Sequence, residues 1–172
     1  REGDRLRVYV VEVRRSTRGP QVLISRTHPG LVKRLFELEV PEIYDGTVEV
    51  KSIAREAGSR TKLAVWSADP NVDPIGACVG PRGQRVNNIV EELRGEKVDI
   101  VKWSEDPAVY IAAALSPADV ISVDIHEEGK TCRVVAMDGE SYVDYDIHEA
   151  LSMKKGLDQQ TYTVMRALTG VQ

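Results

Sequence analysis

Aromatic residues are scarce in this chain. They make up 5% of its 172 residues, with one Phe and two Trp, so a nucleic-acid surface built from many stacked rings has little to be built from. Cysteine is scarcer still. Cys78 and Cys132 are the only two, and neither has a second ligand at metal-binding spacing, so no metal site is expected. Both are read as buried thiols of a reducing cytosol, with a disulfide as the alternative. His28, His126 and His148 stand apart from one another, and each reads as a surface or helix-capping residue. No apolar run approaches the ~20 residues of a membrane span, and no signal peptide opens the sequence, so the expected setting is cytoplasmic without a membrane. There is no G-x-x-x-x-G-K-[ST] loop for nucleotide phosphates. Ser25, Ser59 and Ser104 lack a nucleophile's setting, and Asp69, Asp73, Asp144 and Asp146 suit turns and helix starts. The expectation is a protein that is no enzyme and carries no cofactor.

What is present is a substantial apolar complement, 42%, enough for one large core or two small ones. The net charge of −4 is unevenly spread. Residues 1–35 hold nine Lys and Arg against three Asp and Glu, while residues 101–172 hold six against twelve. A phosphate-bearing partner is drawn to the first region and repelled by the second.

The most informative segment is Ile75-Gly76-Ala77-Cys78-Val79-Gly80-Pro81-Arg82-Gly83, which reads I-G-x-x-V-G-x-x-G. Ile75 and Val79 share one face of a short helix. Val86, Ile89, Val90 and Leu93 follow helical spacing after it. Gly95 stands where a helix C-terminus favours glycine, and Val98, Ile100 and Trp103 mark a strand. Helix, G-x-x-G turn, helix and strand form the RNA-facing half of a KH domain, whose glycines let the loop backbone approach phosphates. Gly80 and Gly83 would hold the RNA backbone, with Pro81 stiffening the loop and Arg82 offering its guanidinium. Gln84 and Arg85 start the next helix, where free amides favour phosphate. Ile75, Val79 and Val86 would form an apolar floor under the bases. Trp66 and Trp103 read as core or sheet-edge residues, with stacking on bases as the alternative.

Upstream, Leu31, Leu35 and Leu38 carry helical spacing, and Pro41 is expected to close that helix. Val48 and Val50, then Leu63 and Val65, alternate with polar residues as two strands around an Ala57-Gly58-Ser59 turn. Asp69-Pro70-Asn71-Val72-Asp73-Pro74 reads as a stiff linker. The order α-β-β-α-α-β is the type II KH arrangement.

Longer runs carry a resemblance. Thr27-His28-Pro29-Gly30, residues 33–43, Ile53-Ala54-Arg55-Glu56-Ala57-Gly58 and residues 73–85 resemble the first KH domain of the bacterial transcription termination/antitermination factor NusA. So do Val98-Asp99-Ile100-Val101, Tyr110-Ile111-Ala112 and Leu115-Ser116-Pro117-Ala118, giving a span of roughly residues 3–135. In that family an S1 domain of OB type precedes two KH domains. Residues 3–13 and 21–26 resemble only the last S1 strands, too few to close a five-stranded barrel. Residues 107–115, 120–125 and 131–135 resemble the opening helix and two strands of a second KH domain, but no second G-x-x-G follows Gly83. Beyond residue 135 the sequence departs from that pattern. Its last ~35 residues weakly resemble the C-terminal segment of bacterial 6-phosphofructokinase, and helices started by Asp146 with Glu149, and by Asp158, are expected to complete the second unit. A fusion product is one alternative for this tail.

The fold class expected is therefore α+β. Residues 1–27 form an S1 remnant with a β-hairpin, 28–104 a type II KH domain, and 105–172 an incomplete second KH-like unit with a helical tail. The resemblance implies single-stranded RNA as ligand, with RNA polymerase and other transcription factors as partners. Arg14, Arg15 and Arg18 are candidate contacts to RNA or polymerase, or else a solvated hairpin tip. The alternative function is a KH-like scaffold for protein interactions with little RNA affinity.

Overall fold

The computed structural model describes residues 2–126, 131–138 and 141–146. Strands β1 (Tyr9–Arg14) and β2 (Gln21–Ser25) form an antiparallel pair. Helices α1 (Pro29–Glu39) and α2 (Pro41–Tyr44) follow, then strands β3 (Glu49–Glu56) and β4 (Arg60–Trp66). Next come α3 (Pro74–Val79), a 3-10 turn at Pro81–Gly83, α4 (Gln84–Glu92) and β5 (Lys97–Lys102). Helix α5 (Pro107–Ala114) leads to β6 (Asp119–His126), β7 (Thr131–Asp138) and β8 (Ser141–Asp146). Three helices start in one way. His28 Nδ1, Asp73 Oδ1 and Asp106 Oδ1 each accept a bond from the backbone N–H two residues on, and a proline fills the first helical position. His28 is thus a capping residue, as its isolation implied.

The first sheet has the order β3-β4-β5, with β3 and β4 antiparallel and β4 and β5 parallel. One face packs on α1, α3 and α4 through Leu31, Val32, Leu35, Phe36, Leu63, Val65, Cys78 and Ile89. The other face meets α5, where Ala54, Ala64 and Val101 touch Tyr110, Ile111, Ala114 and Leu115. The same cluster continues into Cys132 and Val134 of β7. One core therefore crosses the 104/105 division expected from the sequence, because α5 serves both sheets.

That second cover explains a departure from the expected alternation in β4. Thr61, Lys62, Leu63, Ala64 and Val65 are all buried, as a strand between two layers must be. The buried Lys62 ammonium donates to the Ser116 carbonyl at 2.5 Å and lies 3.4 Å from Asp99, which also takes the Arg60 Nε at 2.6 Å. Two expectations upstream hold, with an addition to each: Leu31, Leu35 and Leu38 lie on one helix, which ends before Pro41. Leu38 is 69% exposed, because the buried stripe of α1 is Leu31, Val32, Leu35 and Phe36. Pro41 does not merely end a helix but begins α2, where its fixed φ and missing N–H suit the first position.

The second sheet has the order β6-β7-β8, antiparallel throughout. A third strand pairing with β7 was not foreseen for residues 141–146. Asp146, expected to start a helix with Glu149, is the last residue of β8, and the helices expected after it and from Asp158 lie outside the described residues. Both cysteines are free and buried, each in a different core cluster. Among the described residues no helix is long and apolar enough to cross a membrane.

Candidate nucleic-acid interface

The turn between α3 and α4 is shaped by positive φ at three of its four residues. Gly80 has φ 72° and ψ 175°, Arg82 φ 54° and ψ 26°, and Gly83 φ 76° and ψ 10°. The glycines adopt these without a Cβ penalty, whereas Arg82 takes a conformation that is unfavourable for an L-residue with a side chain. The Gly80 N–H donates to the Gly76 carbonyl at 2.9 Å and the Gly83 N–H to the Gly80 carbonyl at 3.1 Å. Helix α4 begins immediately after Gly83 with no side-chain cap on its first amides.

Pro81, Arg82 and Gln84 are exposed, while Gly83 and the apolar residues Ile75, Val79 and Val86 are half-buried. This one helix–turn–helix unit thus gathers nine of the expected site residues: Ile75, Val79, Gly80, Pro81, Arg82, Gly83, Gln84, Arg85 and Val86. Arg85 is placed differently from its neighbours. Its Nη1 donates to Glu42 Oε2 at 2.9 Å and to the Ala77 carbonyl at 2.6 Å, so the guanidinium faces α2 and α3. A Cβ placed on Gly80 would lie 2.6 Å from Arg85 Cγ, so Gly80 serves close approach as well as turning. Glu42 was missed by sequence reasoning. No local spacing joins it to Arg85, and only the packing of α2 brings them together.

Behind the clamp, burial first and then the Glu42 and Asp73 carboxylates push the Cys78 thiol up to about 12, against the pull of Arg85. It stays protonated and is no nucleophile. At the far end of α4, Arg26 Nη1 bonds Glu92 Oε1 at 2.8 Å and the Arg7 carbonyl at 2.6 Å, and its Nη2 bonds the Glu92 carbonyl at 2.6 Å. Burial pushes the Glu92 carboxyl up, but Arg26 and the Arg7 N–H outweigh it and hold the group below its ordinary value. Tyr9 stacks on His28 at 4.5 Å. These contacts fasten β1 and β2 to the first sheet's helices.

Arg14, Arg15 and Arg18 lie apart from the clamp, at the exposed tip of the β1–β2 pair, and Arg14 is paired with Glu12 at 2.8 Å. Trp66 and Trp103 pack edge to face at 6.2 Å, with Lys51 Nζ 4.5 Å and 5.1 Å from their centroids. They close the end of the sheet as half-buried packing residues.

The buried polar frame of the first sheet is the Arg55–Glu96 pair, whose side chains are 3% and 1% exposed. Two parallel bonds of 2.9 Å join them, and Glu96 also accepts from Thr61 Oγ1 at 2.5 Å and Gly58 N at 2.9 Å. Burial raises the Glu96 carboxyl, yet these donors overcome it and leave it lowered. Glu96 stands between α4 and β5, so the network anchors the end of the segment that carries the clamp.

Comparison with known proteins finds relatives for this segment. The NusA-like first KH domain matches residues 26–103. The transcription termination/antitermination protein NusA of Halalkalibacterium halodurans is 62% identical over 138 residues, 80% of this chain and 36% of its own length. That of Thermus thermophilus is 52% identical over 132 residues, 77% of this chain and 34% of its own. The Mycobacterium bovis protein is 47% identical over 169 residues, 98% of this chain and 46% of its own. That last match runs well past residue 135, where the resemblance read from the sequence stopped. The chain spans less than half the length of these curated relatives. Its residues 26–103 are similar to the NusA-like first KH domain, in a chain that matches NusA proteins over most of its own length.

Proposed function

We propose that this chain is a single-stranded RNA-binding module of a transcription termination/antitermination factor. By the family resemblance it acts on nascent RNA with RNA polymerase and other transcription factors, in the cytoplasm and without a covalent step. The observation that carries this reading is the Gly80–Gly83 turn, with Arg82 exposed at its apex and half-buried apolar side chains on the helices either side. Gly80 and Gly83 let the RNA backbone come close, and Arg82 with the first amides of α4 meets phosphates. Ile75, Val79 and Val86 offer an apolar floor to the bases. In this reading residues 28–104 are the binding domain, 1–27 an S1 remnant and 105–172 an incomplete second KH-like unit with a helical tail.

The test replaces Pro81 and Arg82 together by Asp. Both are exposed, so the melting temperature should hardly move, while affinity for a short single-stranded RNA should fall tenfold or more. A single bond to a charged group is worth about 1.5–3 kcal/mol, before repulsion by two carboxylates is added. A folded double variant that binds like the parent would sink the reading.

A second reading, a protein-interaction scaffold with little RNA affinity, is favoured by one observation. The β7–β8 connection leaves no crossover in which a second clamp could sit, and linked clamps add avidity that a single one lacks. Titration with single-stranded RNA at two salt concentrations separates the two, since a scaffold gives no saturable, salt-dependent signal.

A further inference from the structure

Arg85 follows the clamp by two residues and would ordinarily be counted among the phosphate contacts. Its geometry assigns it another task. The side chain runs directly under the turn, so close that a Cβ on Gly80 would meet Arg85 Cγ at 2.6 Å and Cδ at 2.8 Å. Its Nη1 then spans two elements, donating to the Ala77 carbonyl in the last turn of α3 and to Glu42 Oε2 in α2. Arg85 itself belongs to α4. One side chain therefore joins α2, α3 and α4 beneath a short turn whose own backbone bonds run from Gly83 to Gly80 and from Gln84 to Pro81.

Glu42 is held in its turn. Its carbonyl accepts the Val48 N–H at 2.7 Å, and the neighbouring Ile43 side chain is buried in the core. The next contact along the same side of α4 is Asn88 Nδ2 to Glu39 Oε2 at 3.1 Å. The α1–α2 corner is thus a fixed support, and Arg85 leans on it.

We propose that Glu42 and Arg85 are positioning residues, a strut that sets the Gly80–Gly83 turn between α3 and α4, so that a carboxylate promotes the binding of an anion. The proposal rests on the RNA-clamp reading for its consequence but on the contacts above for its geometry. It makes an unusual prediction of sign. By charge alone, removing Glu42 takes a negative group from beside the phosphate path and should tighten RNA binding. If the strut sets the loop, the same removal loosens the turn and weakens binding.

The experiment measures anisotropy of a labelled single-stranded RNA of about ten nucleotides, longer than the four that one KH clamp covers. Glu42→Ala should weaken binding roughly fivefold to tenfold, the size of coupling found between contacting residues. Glu42→Gln loses the charge but keeps an acceptor oxygen for Arg85, and should stay within about twofold of the parent on the same basis. Arg85→Lys keeps the positive charge and loses the planar fork, so it should behave like Glu42→Ala. It also serves if that variant fails to fold. Equal or tighter binding by Glu42→Ala, or parental binding by Arg85→Lys, would overturn the strut. Hydrogen exchange at the Gly80 and Gly83 amides gives an answer without RNA. Exchange should quicken in Glu42→Ala and remain parental in Glu42→Gln, and unchanged rates in Glu42→Ala refute the proposal. If the parent itself binds no RNA, the clamp reading falls while the exchange rates still decide the strut.

Discussion

The two sheets of this molecule open alike and close differently. Each has a helix followed by an antiparallel strand pair, and each pair carries a register irregularity near its start, between Val50 and Ser52 in one and Val120 and Ser122 in the other. In the first, the third strand arrives after residues 67–96 and lies parallel to β4. In the second, Asp138 pairs with Ser141 and β8 turns straight back on β7. A parallel neighbour requires a crossover, and the crossover is where α3, the glycine turn and α4 are found. The glycine turn is a property of the connection rather than of the sheet.

The same difference sets burial. Strand β4 lies between α5 on one side and the α1, α3 and α4 layer on the other, and is buried throughout its middle. In β7, Cys132, Val134 and Ala136 face the core while Arg133 between them is exposed. That is the inside–outside alternation of a sheet with one covered face.

The strongest way to break this contrast is at Glu96, which anchors the end of the crossover. Glu96→Ala leaves the Arg55 guanidinium buried without its carboxylate, a loss of about 3–5 kcal/mol. Urea unfolding should show it, and a shift under about 1 kcal/mol on the same scale would mean that the pair does not hold the first sheet closed. Truncation after Met137 makes the opposite cut, removing β8 and leaving β7 as an open edge. Stability and solubility should drop, at about 2–4 °C of melting temperature per kcal/mol lost, while RNA affinity stays within about twofold because the clamp's coupling lies elsewhere. A truncated chain as stable as the parent would show β8 to be an independent appendage.

Acid should act on the first sheet and its crossover. Glu96 and Glu92 are both lowered from their ordinary value of 4.5 in the folded protein. A carboxylate held below its unfolded value stabilises fully above that value, and the contribution disappears as pH falls through the folded one. Unfolding curves from pH 7 downward should therefore lose stability only below the ordinary carboxylate range, and Glu96→Gln should flatten that loss. A parental acid profile in Glu96→Gln would remove Glu96 from the account. The smallest expected effect concerns salt. With one clamp covering about four nucleotides, binding should be micromolar or weaker. Its log–log salt slope should reflect a few phosphates at about −0.7 each. Neutralising Arg14, Arg15 and Arg18 should alter it little. A steep slope that these changes abolish would reveal a second RNA surface on the hairpin.

Local signals made most of the first unit legible. The glycine turn, the apolar stripe of α4, the Ala57-Gly58-Ser59 turn and the run into β5 all depend on neighbours within a few residues. What sequence could not show depends on distance. The second cover over β4 comes from α5, more than 40 residues on, and the partner of Arg85 lies 43 positions before it. Leu38 lies on the helix that its spacing from Leu31 and Leu35 implied, but Val32 and Phe36, not Leu38, complete the buried face.

The parallel register of β4 and β5 also bears on the order of folding. Arg60 pairs with Lys97, whereas His126 pairs with Thr131 and Asp138 with Ser141. Closing the first sheet must overcome the loop entropy of the whole crossover before any β5 contact rewards it, while the later hairpins close over short spans. During refolding, amides of β7 should therefore gain protection before those of β5, a sequence that pulse-labelled hydrogen exchange can read. Simultaneous protection would mean that the crossover helices form first and shorten the search. In the expected order, the half of the molecule that carries the glycine turn matures last, although it is synthesised first.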